Sequence, residues 1–267
     1  MSSSTAIISL QDLLSADKWK ADSFVFRRLR HTSAYPMAAL SSLMDERSEF
    51  LTPGEFSNHV FFYLGLEHVA PDTGDLVDFS PKKGAEVKSR SKVFREGDVL
   101  YGRLRSYLNK VYVATGRVKE GICSGEFYVL TPKVDKVRPE FLREMLASRF
   151  VRDGIEGMHT GSALPRLQLH DLLRIEVPVP PLHVQDEIVR ALTEFAIARA
   201  RARVVLQELP ARVEEELRAA LTEGRVFDAA SVAARRESST DQCELPTDYK
   251  LARGRRRSTV RPLPFGG

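Results

Sequence analysis

The chain of 267 residues carries 40 Lys+Arg against 36 Asp+Glu, a formal net charge of +4, with 43% hydrophobic residues. That length suits one large or two small domains, and no apolar run approaches the ~18 residues of a membrane span. The opening MSSSTAIISLQDLLSADKWK lacks the basic segment and apolar stretch of a secretory signal, and Cys123 and Cys243 lie too far apart for a disulfide framework or a metal-ligand spacing, so a reduced, cytoplasmic protein is expected.

Residues 1–20 are Ser-rich and then weakly helical, and FVFRRLR (24–30) begins a strand or a helix. Residues 35–45 read as a short amphipathic helix, followed by a loop at Thr52-Pro53-Gly54. From Val60 the texture becomes β-rich. VFFYLGL is an apolar, aromatic run suited to a buried strand, and Pro71-Asp72-Thr73-Gly74 is turn chemistry. Val93-Phe94, Val99-Leu100-Tyr101, Val111–Ala114 and Phe127–Leu130 are further strands, with a turn at Glu96-Gly97-Asp98. Between Lys82 and Lys119 stand eleven basic residues against three acids. Such a stripe attracts a phosphate backbone, or is simply a solvated face.

Pro139 suits the first position of a helix, and Phe141, Met145, Leu146 and Phe150 keep helical spacing over 140–151. A loop containing Gly154, Gly157 and Gly161 follows, then a short mixed segment, Arg166–Ile175, and an extended Val177–Pro181, whose prolines lack amide donors. After Pro181 the pattern is strongly helical. Ile188, Leu192, Phe195, Ala202, Leu206 and Leu209 follow steps of four and three, with Arg199 in one expected apolar slot. That is a coiled-coil-like seam for another helix, or a helix packed on its own domain. Pro210 is expected to kink or break it, with Arg212–Leu221 a second piece and Gly224 a stop. Residues 225–267 lose periodicity, and Lys250–Gly267 holds six basic residues and no acid, a basic tail expected to be disordered. No internal repeat is visible.

Motifs for catalysis are missing. The sequence has no G-x-x-x-x-G-K-[ST] loop, no G-x-S-x-G elbow and no H-E-x-x-H. His31, His59, His68, His159, His170 and His183 are scattered without metal-pair spacing, and Glu67, Asp72, Asp75 and Asp78 surround a turn that they solvate. A glycine-rich methyltransferase cofactor loop is likewise missing. These absences favour a binding module over an enzyme.

Several ordered blocks carry a resemblance: FFYLGLEHVAPDTGDL (61–76), VFREGDVLYGRLRSYLNKV (93–111), CSGEFYVLTP (123–132) and HTGSALPRLQLHDLLRIEVPVPPLHVQDEIVRAL (159–192). Together they resemble the target recognition domain of type I restriction–modification specificity subunits, over roughly 60–222. At the junction with the helix, Pro180, Pro181, Leu182, Gln185 and Ile188 match the family's pattern. The resemblance implies an α/β fold of the α+β type: a β-rich globular recognition domain (1–181), a long helical spacer (182–222) and a basic tail (223–267). It also implies a subunit that is not itself catalytic, recognises half of a split site in double-stranded DNA and serves phage defence. Its partners would be a methyltransferase (modification) subunit and a restriction (motor-nuclease) subunit, with S-adenosylmethionine, ATP and Mg held by those partners and no cofactor bound by this chain.

The chain departs from the family in having one recognition domain and one spacer where members have two of each. A lone apolar seam needs a partner, and the simplest is an antiparallel homodimer through 182–222; a second, different half subunit is the alternative. Leu182, Gln185, Ile188, Leu192, Phe195, Leu206 and Leu209 are the candidates for that partner face, with the junction residues Pro180–Ile188 also suited to fixing the helix angle or meeting a methyltransferase. On the DNA side, Arg103, Arg105 and Lys110 follow the Val99–Tyr101 strand and suit a phosphate or guanine edge, or else pin their own loop. Lys82, Lys83, Lys88 and Arg90 form a second basic loop directed at phosphate. His159, Thr160, Ser162 and Arg166 flank Gly161 and approach DNA. Tyr107 suits stacking or packing, with core packing the expected role. Two other function classes compete: a fragment of a catalytic DNA methyltransferase or endonuclease, and a helix-mediated protein adaptor.

Overall fold

The computed structural model describes residues 33–156, 158, 165–229 and 232. The readings of residues 1–30, of His159, Thr160 and Ser162, and of the tail beyond 232 lie outside the described residues. Two compact units divide the chain, one ending at Asp186 and the other starting at Glu187.

The first unit is built on two four-stranded sheets. One contains β3 (Phe50–Leu51), β7 (Ser91–Phe94), β10 (Gly121–Cys123) and β5 (Tyr63–Leu64), in that order, with β10 and β5 parallel. The other contains β2 (Met44–Glu46), β11 (Phe127–Pro132), β8 (Val99–Gly102) and β9 (Val111–Val113), all antiparallel. Two short ladders complete it: β1 (Met37–Ala39) with β12 (Glu176–Pro178), and β4 (Val60–Phe61) with β6 (Lys82–Lys83). The apolar runs of the sequence become the central strands. β8 is buried throughout, with Tyr128 opposite Tyr101, Val129 opposite Leu100 and Leu130 opposite Val99. Leu64, Phe94, Leu100, Phe127 and Val129 form one fully buried cluster, each side chain contributing about 1.5–3 kcal/mol by leaving water.

The turn before β8 is an anchor as well as a connection. Gly97 takes φ +88, which an L side chain avoids, and this brings Asp98 inside at 1% exposed. Its carboxylate accepts from Arg47 Nε at 2.7 Å and Nη2 at 3.1 Å, from the Arg95 amide at 2.8 Å and from the Thr131 hydroxyl at 2.9 Å.

Helix α1 (Pro139–Ala147) begins on Pro139 as its pattern predicts and buries Phe141, Leu142, Met145 and Leu146. It stops at Ser148, whose backbone is extended, so the expected single helix over 140–151 is two, α1 and α2 (Arg149–Ile155). A short α3 (Leu169–Leu173) precedes β12.

Three further expectations are corrected. Residues 35–45 are not a helix but a strand, a 3-10 turn (Leu40–Ser42) and β2. The partner strand β12 supplies β1 with ladder hydrogen bonds that a lone helix of this length would have to find locally. VFFYLGL is two strands in different sheets, turning at Phe62, whose carbonyl accepts from the Ile122 amide at 2.9 Å. Pro210 does not break its helix into two pieces: α4 runs from Leu182 to Glu223 with Pro210 inside, which leaves only the kink of that expectation. The ring removes one amide donor, but its fixed φ is compatible with a helix, so the helix can continue past it. Gly224, at φ +68, follows the last helical residue as the sequence suggests.

The first turn of α4 belongs to the first unit and is held there by Gln185, which is 0% exposed. Its Oε1 accepts from the Arg138 amide at 2.9 Å, and its Nε2 donates to the carbonyls of Pro180 at 2.8 Å and Lys136 at 3.0 Å. Asp186 adds a two-pronged ion pair with Arg138 at 2.8 and 3.2 Å. In the second unit α4 carries its apolar residues outward: Leu192 is 37%, Phe195 71% and Leu206 66% exposed, and Val213, Leu217 and Leu221 continue the exposed series. Leu182, Ile188 and Leu209 are half-buried.

Candidate nucleic-acid interface

One edge of the first unit gathers cations from distant parts of the sequence. Residues 103–105 leave β8 and meet residues 165–167 through an antiparallel bridge between Leu104 and Arg166. The Arg105 amide donates to the Pro165 carbonyl at 2.8 Å, and the Leu167 amide to the Arg103 carbonyl at 3.0 Å. The bridge brings Arg103 and Arg166 together at Glu126. Arg166 grips that carboxylate through Nη2 at 2.7 Å and Nε at 3.1 Å, and Arg103 Nε stands 3.8 Å away. The Arg103 guanidinium also lies 5.3 Å from the ring centre of Tyr128, a cation–π distance. The hydrogen bond from Arg166, and then the nearby charges of Arg166 and Arg103, hold the Glu126 carboxyl below the ordinary carboxylate range against the opposing effect of burial.

Beyond the bridge, Arg105 and Asn109 take left-handed backbone conformations at φ 49 and φ 51, bracketing a 3-10 turn over Ser106–Leu108. This turns Tyr107 outward, 59% exposed, and leaves Arg105 exposed beside it. The expectation of core packing for Tyr107 is thus corrected. Asn109, of a residue type that tolerates the left-handed region, was the available signal for a tight turn here. Lys110 has a different setting: its ammonium donates to the Leu66 carbonyl at 2.7 Å, which ties the end of the loop to the fold.

The second basic segment is partly strand. Lys82 and Lys83 form β6, with Lys82 5.1 Å from the Tyr63 ring centre and Lys83 exposed. Lys88 and Arg90 are exposed, and Arg90 stacks 4.2 Å from the centre of the Phe50 ring, itself 41% exposed. Between this segment and the Arg103 edge lies Lys92, buried, paired with Glu46 at 2.9 Å and 5.2 Å from the Tyr128 ring centre. Cations and aromatic rings therefore alternate from Arg90 through Phe50, Lys92 and Tyr128 to Arg103. Sequence reasoning passed over Phe50, Tyr128 and Glu126, because their proximity to these cations arises only from strand pairing.

The loop behind Arg105 and Tyr107 is supported from inside. The Asn109 side-chain amide donates to Asp72 at 3.0 Å and to the Ala147 carbonyl at 2.9 Å. Arg143, 7% exposed, donates to the carbonyls of Asp72 at 3.1 Å and Val111 at 3.2 Å and pairs with Glu144 at 2.6 Å. Gly74, at φ +68, leaves room for this: a Cβ there would lie 2.1 Å from the Val111 carbonyl oxygen and 2.6 Å from Arg143.

The family model described as "Type I restriction modification DNA specificity domain" matches residues 45–202. In Escherichia coli, the type I restriction enzyme EcoDI specificity subunit is 30% identical over 155 residues, which are 58% of this chain and 33% of that protein. Among solved structures, the HsdS subunit from Thermoanaerobacter tengcongensis superposes with TM-score 0.56 at 25% identity, covering 71% of this chain and 49% of that one. A structure described as "complex assembly and conformational transition of the type I R-M system" gives TM-score 0.56 and 25% identity, covering 74% and 52%. The chain therefore spans about a third of the curated relative and about half of each solved chain. These neighbours agree with the α+β reading, a β-rich unit followed by a long helix, and the matched family is one of specificity domains rather than catalytic ones. The chain belongs to the type I restriction modification DNA specificity domain family.

Proposed function

We propose that the chain recognises one half of a split site in double-stranded DNA, using the edge formed by Arg103, Arg105, Tyr107 and Arg166. The observation that carries this reading is the Leu104–Arg166 bridge, which collects cations from two separate loops beside an exposed aromatic ring. Arginine suits both phosphate and the guanine edge, and Lys83, Lys88 and Arg90 add exposed positive charge that suits phosphate. His159, Thr160 and Ser162 precede Arg166 by a few residues in the sequence and are proposed as further DNA contacts. The subunit works in the cytoplasm and docks a methyltransferase subunit and a restriction subunit, which hold S-adenosylmethionine, ATP and Mg.

Arg103→Ala and Arg105→Ala are each expected to weaken duplex binding while leaving the melting temperature near that of the parent chain. A base-edge contact costs about 1–3 kcal/mol at one position of the site. A phosphate contact instead weakens all sequences alike and makes the salt dependence shallower. Fluorescence anisotropy across a salt series separates the two, and unchanged affinity in both variants removes this loop from the interface.

The outward apolar residues of α4 support an antiparallel homodimer, in which two identical readers face an inverted, interrupted site. Sedimentation of the 30.0 kDa chain is expected to give twice the single-chain mass. Phe195→Glu combined with Leu206→Glu is expected to return it to the single-chain mass, since each side chain gives up about 1.5–3 kcal/mol of burial. A parent chain that sediments singly at assay concentrations points instead to a second half subunit as the partner.

A further inference from the structure

A carboxylate in the middle of a DNA-facing edge works against affinity, because it repels the phosphates that its neighbours attract. Glu126 is nevertheless fixed there by several contacts. Its backbone carbonyl accepts from the Arg103 amide at 2.9 Å, its own amide is 3.3 Å from the Ser124 hydroxyl, and its side chain takes Arg166 by two prongs with Arg103 close by. Tyr128 closes on the Arg103 guanidinium at 5.3 Å. Arg103 Nε stands 3.8 Å from the carboxylate, an ion-pair rather than a hydrogen-bond distance, and the charge and the ring together narrow the orientations open to its planar fork. An orientation narrowed in advance suits a base edge, which accepts few geometries, better than a phosphate, which accepts many.

We propose that Glu126 is a positioning residue for specificity: its carboxylate holds Arg103 and Arg166 oriented at the reading edge and opposes binding by phosphate contacts alone. The inference rests on the DNA-reading role proposed above. Its signature is a gain of function, which a merely structural pin would not produce. Glu126→Gln removes the charge at nearly constant shape and releases both guanidiniums to find phosphates. A short random-sequence duplex is then expected to bind about three- to tenfold more tightly at low salt, with the slope of log affinity against log salt steeper by up to about 1. Selection from a randomised duplex pool is expected to yield a weaker consensus than the parent chain yields.

Glu126→Asp supplies the second measurement. It keeps the charge but shortens the reach by one methylene, so random-duplex affinity is expected to stay near the parent value while the selected consensus weakens. Unchanged or weaker random-duplex binding by Glu126→Gln, with melting intact, overturns the proposal and leaves the DNA-reading role standing. So does a consensus as sharp as the parent's in Glu126→Asp. A folded parent chain that binds no duplex defeats the DNA-reading role itself, and this inference with it.

Discussion

Asp98→Ala is expected to remove about 3–5 kcal/mol of folding stability, since it strips the partners from a buried charge network. The carboxylate is 1% exposed and accepts from both Arg47 donors, the Arg95 amide and the Thr131 hydroxyl. Its loss separates residue 47, just past β2, from the turn before β8 and from Thr131 on β11. Arg47 is 25% exposed and keeps some water, which favours the lower end of the range. The thermal midpoint should fall by roughly 6–20 °C. Asp98→Asn keeps an acceptor for one or two of the donors and should fall between the parent and alanine variants. A loss below about 1 kcal/mol by urea titration would show that the network is not an anchor.

Arg143→Ala is expected to cost about 2–4 kcal/mol, because the carbonyls of Asp72 and Val111 lose a charged, buried donor. Arg143→Lys should recover little, since a single ammonium does not reproduce donors fixed on separate atoms of a planar fork. The damage should also reach the reading edge. Asp72 accepts from Asn109, and Asn109 closes the turn that presents Tyr107 and Arg105. Hydrogen exchange should therefore rise over 103–110 in Arg143→Ala, and protection equal to the parent chain there would separate the two features.

Much of the first unit was legible because its central strands are continuous apolar runs bounded by turn residues. Val99–Tyr101, Val111–Val113 and Phe127–Leu130 pair as antiparallel neighbours in one sheet. The misreadings have a common physical origin. The spacing of Met37, Leu40, Leu43 and Met44 fits a helix, yet it also fits a strand, a turn and a strand once β12 arrives to pair with β1. VFFYLGL looked like one strand because hydrophobicity does not record which of two sheets an apolar residue enters. The candidate site was legible as charge and invisible as geometry. Arg103, Arg105 and Arg166 stood out by type, but Glu126 acquires its role only from a partner 40 residues further along the chain. Lys110 stood out equally, and its ammonium turned out to serve the Leu66 carbonyl.

The Gln185 latch has a consequence for how such a protein can change over generations. Its three hydrogen bonds all end on main-chain atoms, the amide of residue 138 and the carbonyls of residues 136 and 180. A backbone donor or acceptor is the same whatever side chain it carries, with proline at 138 the exception. Substitutions can therefore accumulate around these positions without Gln185 losing its grip, provided the trace at those three points is preserved.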